Sequence, residues 1–135
     1  MAKKLMIVDE RALSRHLVRQ VAATGHDTVL ECVSANEALA AVGIFRPDCL
    51  VMGVSRPAPM AFEAIRSIRR TYPQMRIVAM SSIHEPQLQQ QSRDAGACGY
   101  VTTENLSELF LLAAPERLAV KPARRAKARR RQKPS

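Results

Sequence analysis

Short, unbroken apolar runs alternate along this chain with segments of helical periodicity. Leu5-Met6-Ile7-Val8, Cys49-Leu50-Val51-Met52 and Ile77-Val78-Ala79-Met80 are continuous apolar runs. Such runs are the pattern of strands buried on both faces. Val29-Leu30-Glu31-Cys32 and Gly99-Tyr100-Val101 are two further strand candidates. Strands separated by single helices run parallel through right-handed crossovers, so the alternation predicts a (βα)5 α/β domain with a doubly wound sheet.

The intervening segments carry helix signals. Leu13, Leu17 and Val21 recur at i, i+4 and i+8 and predict one buried face, ended by Gly25. Ser34-Ala35-Asn36-Glu37 is a capping-box pattern, opening a helix expected to bury Ala35, Ala38, Leu39 and Val42 before Pro47. Ser55–Pro59 contains two prolines and is expected to be loop. Phe62, Ile65, Ile68 and Tyr72 mark a third amphipathic helix, closed by Pro73. Residues 85–95 are polar with Leu88 almost alone, which predicts a loosely anchored fourth helix. Asn105-Leu106-Ser107-Glu108 offers a second capping box, followed by Leu109, Phe110 and Ala113, with Pro115 as a breaker.

The formal charge of +9 is unevenly spread. Residues 119–135 hold eight cations, among them Arg124, Arg125, Lys127, Arg129, Arg130 and Arg131, and no acid; taking these eight from the 21 leaves 13 cations against 12 acids. The expected organisation is a near-neutral domain over residues 1–118 and a basic tail over 119–135, disordered when alone. Cys32, Cys49 and Cys98 lack metal-ligand spacing and read as small core residues of a reducing compartment. Met6, Met52 and Met80 fall in strands and read as core. No secretion signal and no apolar run long enough to span a bilayer is present, so a cytoplasmic protein is expected. His16, His26 and His84 are scattered; no Ser/His/Asp or Cys/His pairing and no Gly-rich phosphate loop is supported, and no enzymatic role is expected.

Ligand sites in doubly wound sheets lie at the carboxyl ends of the strands, which directs attention to Asp9, Glu10, Gly53, Ser81 and Thr103. The strings Leu5–Glu10, Arg46–Pro57, Ile77–Ser82 and Ala95–Val101, in this order and spacing, resemble the CheY-like receiver domain of bacterial response regulators over roughly residues 3–114. The resemblance implies a flavodoxin-like sheet of order 2-1-3-4-5. It also implies roles: an acidic pair holding Mg²⁺ (Asp9, Glu10), a phosphoacceptor aspartate after the third strand, a hydroxyl sensor (Ser81), a switch aromatic (Tyr100) and a lysine after the fifth strand. The acceptor position here is Gly53 and the lysine position is Thr103. An acyl phosphate needs a carboxylate nucleophile, which glycine lacks, and threonine cannot neutralise phosphoryl charge. Asp48 precedes its strand and lies at the wrong end to substitute.

The expected protein is therefore a pseudo-receiver of two-component type: phosphorylation-independent, without cofactor, and acting by contact. Mg²⁺ is not expected to be required; Asp9 and Glu10 are either a remnant metal site or solvated strand-end acids. Ser81 and Tyr100 are either a two-position switch or packing residues. In the family the face of fourth helix, fifth strand and fifth helix meets signalling proteins; here that face would include Glu85, Gln87, Gln91, Arg93, Tyr100 and Glu108. The tail is either a solubilising end or an anion-binding arm. Nucleic acid suits it through counterion release, although no aromatic is present to stack bases. Cyclic di-GMP suits its arginines, which pair with guanine edges and phosphate; the tail resembles the extensions of CheY-like cyclic di-GMP effectors. Arg125 and Arg129 have the Arg-x-x-x-Arg spacing of PilZ proteins, but the second PilZ element is absent.

Overall fold

The computed structural model describes residues 3–22, 25–55 and 59–106. Among the described residues five strands and four helices alternate: β1 Lys4–Val8, α1 Ala12–Ala22, β2 Thr28–Cys32, α2 Ala35–Phe45, β3 Cys49–Gly53, α3 Pro59–Thr71, β4 Arg76–Ser81, α4 Pro86–Ala95 and β5 Gly99–Thr102. A 3-10 turn, Thr103–Asn105, follows β5. The sheet is parallel throughout, in the order β2-β1-β3-β4-β5. The expected fifth helix and the basic tail, with Glu108 and the arginines from Arg124 onward, lie outside the described residues.

Strand alternation sends successive side chains to opposite layers. Met6, Val8, Leu50, Met52, Ile77 and Ala79 pack under α2, α3 and α4, against Ala38, Val42, Phe62, Ile65, Ile68 and Leu88. Leu5, Ile7, Cys49, Val51, Val78, Met80 and Val101 face the other way, against Val18 and Ala22 of α1. Both faces are covered, which is why β1, β3 and β4 read as continuous apolar runs. Each fully buried Leu or Ile contributes roughly 1.5–3 kcal/mol over its exposed state.

Three helices depart from expectation. In α1 the buried residues are Ser14, Val18 and Ala22. Leu17 and Val21 pack at the margin of that layer, and Leu13, in the first turn, is 68% exposed. The buried stripe is thus turned by one residue from the Leu13-Leu17-Val21 line. In α2 Ala38 and Val42 are buried, Ala35 packs partly, and Leu39 stays 39% exposed. In α4 Leu88 is not alone: Ser92 and Ala95 complete a buried i, i+4, i+7 stripe. The Ser92 hydroxyl is accommodated by donating to the Leu88 carbonyl at 2.7 Å, so burial costs it no hydrogen bond. This helix is anchored more firmly than its glutamines imply. Pro59, expected in loop, is the first residue of α3, a position where proline loses no helical hydrogen bond.

The caps are local and legible. Ser34 accepts from the Glu37 amide at 3.1 Å. Glu37 reaches back to the Val33 amide at 2.9 Å, one residue before the cap. α2 ends at Arg46, which takes a left-handed φ of 55° and donates its amide to the Val42 carbonyl. Gly96 ends α4 at φ 122°, and a side chain there would run into Cγ of Arg69, whose Nε donates to the Gly96 carbonyl.

Cys32 and Cys49 are buried as expected, but Cys98 is exposed. It lies between the end of α4 and the start of β5, where its amide donates to the Ile77 carbonyl at 2.8 Å. Among the described residues no helix is long and apolar enough to cross a membrane.

Candidate functional site

β1 and β3 are neighbours in register, Val8 opposite Met52, so the residues that follow them emerge side by side at the carboxyl edge. Asp9 and Gly53 meet there. Val8, Asp9, Glu10, Arg11, Val33, Ser34, Met52, Gly53, Ser55 and Met60 line one open cleft of about 350 Å³. Asp48 sits at the other end, where its carboxylate accepts from the Lys4 amide at 2.8 Å.

Asp9 is the buried acid of this cleft, 7% exposed. Its carboxylate is held by a fork from Arg11. Oδ1 accepts from the Arg11 amide at 2.8 Å and from Nε at 3.2 Å, and Oδ2 accepts from Nη2 at 3.2 Å. Nη2 also donates to the Ser55 hydroxyl, at 3.2 Å, tying the β1 side of the cleft to the β3 side. The hydrogen bond to Asp9 raises the Arg11 pKa above its already high value, so the guanidinium is permanently charged. Arg15 supports the same turn: Nη1 donates to the Asp9 carbonyl at 2.8 Å, and Nε to Glu31 Oε1 at 3.0 Å. Arg19 takes the other Glu31 oxygen at 2.7 Å.

Held this way, the Asp9 carboxylate lies over Gly53. A Cβ placed on Gly53 would overlap Asp9 Oδ2 and stand 2.9 Å from its Cγ. The space that a side chain at position 53 would need is filled by Asp9. Glu10 is exposed at the rim.

The remaining expected residues form a second group, about the link between β4 and α4. Ser81 is buried, and its hydroxyl accepts from the Ile83 amide at 3.4 Å. The Tyr100 hydroxyl donates to the Ile83 carbonyl at 3.0 Å, with the His84 ring edge-on to it. Thr103 Oγ1 reaches the Ser82 carbonyl at 3.5 Å. Ser81, Tyr100 and Thr103 thus face one short loop and do not line the Asp9 cleft. On the outer side, Gln89, Arg93, Cys98 and Tyr100 border a notch of about 40 Å³ between α4 and β5. Of the expected contact face, Gln87, Gln91 and Arg93 are exposed, and Glu85 and Tyr100 are half-buried.

Arg11 and Arg15 were not singled out by the sequence reading. The available signal was a pair of arginines two and six residues beyond a strand-end aspartate, at the opening of a helix.

A parallel 2-1-3-4-5 sheet with an acidic strand-end cleft and a hydroxyl-lined β4–α4 link defines a receiver-type α/β domain. The chain belongs to the response regulator receiver domain family, whose model matches residues 5–112. Among curated relatives, the response regulator GacA of Pseudomonas syringae pv. syringae (strain B728a) is 30% identical over 101 residues, 73% of this chain and 47% of that protein. The chemotaxis protein CheY of Halobacterium salinarum is 26% identical over 102 residues, 76% of this chain and 85% of that protein. The chain therefore spans about half the length of the GacA relative and most of the CheY relative. A response regulator from Thermotoga maritima shares the fold, with a TM-score of 0.72 at 20% identity, covering 84% of this chain and 98% of that one.

Proposed function

We propose that this chain is a receiver module that works without phosphorylation, by presenting a fixed surface to a signalling protein. The observation carrying this reading is at position 53. Glycine offers no nucleophile, and the neighbouring carboxylate of Asp9 fills the space above it under the Arg11 fork. Phosphoryl transfer to a carboxylate requires a free oxygen in line with the donor. Both Asp9 oxygens are engaged by a guanidinium.

The contact surface is the α4–β5 face, with Gln87, Gln91, Arg93 and Tyr100. Tyr100, Ser81 and Thr103 all bond to the link that leads into α4, so the face is held by the chain's own groups. The tail of residues 119–135 adds attraction for an anionic partner. Incubation with acetyl phosphate and Mg²⁺, followed by intact-mass measurement, is expected to leave the mass unchanged; a base-labile adduct on Asp9 or Glu10 would overturn the reading.

The tail's composition supports two further partners, cyclic di-GMP and nucleic acid. Titration of full-length and Δ119–135 protein with each, at two salt concentrations, separates them. Guanine-selective, stoichiometric binding lost with the tail identifies a nucleotide effector. Steeply salt-dependent, unselective binding identifies a nucleic-acid arm. No binding in either titration leaves the protein partner.

A further inference from the structure

We propose that the Arg11 guanidinium is the resident cation of the strand-end cleft, replacing a divalent metal there. The inference deepens the phosphorylation-independent reading but concerns the metal, so the two can fail separately: a site may bind metal and still lack an acceptor.

A Mg²⁺ site needs oxygen donors free to approach at near-octahedral angles, usually one or two carboxylates with several waters. The donor set here does not fit. Among the described residues no group of three or more His, Cys, Asp or Glu side chains is placed to hold a metal ion. Asp9 is the only buried acid among them, and its two oxygens accept three hydrogen bonds from Arg11. Gly53 contributes no side-chain donor, and Glu10 is exposed at the cleft's edge.

The fork supplies what a metal would. A positive charge sits 3.2 Å from each carboxylate oxygen. It bridges the β1 and β3 sides through Ser55, as an ion shared by two strand ends does. A planar fork matched to a carboxylate gives both charge and direction. Because the cation is covalently part of the chain, its local concentration does not depend on the medium. The charge on Asp9 is neutralised at every metal concentration.

Two barriers therefore stand between this cleft and metal binding: the missing carboxylate at 53 and the fork on Asp9. The proposal assigns a distinct share to the fork. Mn²⁺ binding, followed by the loss of the free-ion electron paramagnetic resonance signal, tests it on full-length wild type, G53D, G53D/R11A and G53D/R11Q. Wild type is expected to bind no Mn²⁺ at millimolar concentration. G53D alone should bind weakly, and G53D/R11A at least roughly ten-fold more tightly. D9N placed in that double variant should abolish the gain. Far-UV circular dichroism and thermal melting report folding, and G53D/R11Q, which keeps the aliphatic stem but not the charge, serves if the alanine variant does not fold. Equal Mn²⁺ affinity of G53D and the double variants would overturn the proposal. So would wild-type binding that D9N weakens, or an absence of binding in folded double variants.

Discussion

Glu31 shows what single residues do in this chain. It sits in β2, the outermost strand on its side of the sheet, and receives Arg19 at 2.7 Å and Arg15 at 3.0 Å. The hydrogen bond from Arg19, with that from Arg15, holds its carboxyl below the ordinary glutamate value despite an opposing desolvation. A depressed carboxyl stabilises the fold above its unfolded-state pKa of about 4.3. That contribution is lost as pH falls through the lower folded-state value. The difference in urea stability between wild type and E31Q is therefore expected to be about 0.2–1 kcal/mol near neutrality. It should shrink toward zero in acid; a constant difference would refute the assignment. The three cysteines make a second residue-scale prediction. Burial pushes the Cys49 thiol up to about 12, and desolvation also raises Cys32, while Cys98 is exposed. Only thiolate reacts with disulfide reagents. One thiol should label rapidly in the native protein, and the other two only on unfolding. At this scale the sequence was least legible. Asp9 and Gly53 were visible as strand-end positions, but a fork needs three-dimensional proximity that no spacing rule states. Arg11 looked like any polar residue opening a helix.

Elements were read with more success, for a physical reason. β1, β3 and β4 are covered on both faces, so every residue in each run is buried and the apolar signal is unbroken. Helices give a weaker signal, because only a stripe is buried and its edges are ambiguous by one residue. Ser14 took the buried position that Leu13 was expected to hold, and in α4 Ser92 is buried beside Leu88 by bonding within its own helix. The link between β4 and α4 carries a prediction at this scale. Tyr100 donates to the Ile83 carbonyl across 17 positions of sequence. Y100F removes that bond while keeping the ring, and a single neutral hydrogen bond contributes about 0.5–1.5 kcal/mol net. Hydrogen exchange of the Ser82, Ile83 and His84 amides is expected to accelerate in Y100F, with β1 and β3 amides slowed or quickened only by the global change. Unaltered exchange in the link would show that Tyr100 does not hold it.

Across the whole sequence, the cations are unevenly spread. Removing residues 119–135 takes away eight of the 21 cations and brings the formal charge from +9 to +1. Among the described residues, the two apolar layers are built between Leu5 and Leu106. The Δ119–135 protein is expected to unfold within about 0.5 kcal/mol of the full chain, yet to elute from a cation exchanger at far lower salt. A large fall in stability would assign the tail a structural part. The carboxylate that lies over Gly53 has one more consequence, for how such a protein can change over generations. Introducing aspartate at that position while Arg11 remains places two acids in a space already filled by one. The same substitution after Arg11 has gone finds Asp9 free to swing aside. The order of the two substitutions therefore matters: an aspartate at position 53 is accommodated more easily after Arg11 has been replaced than before.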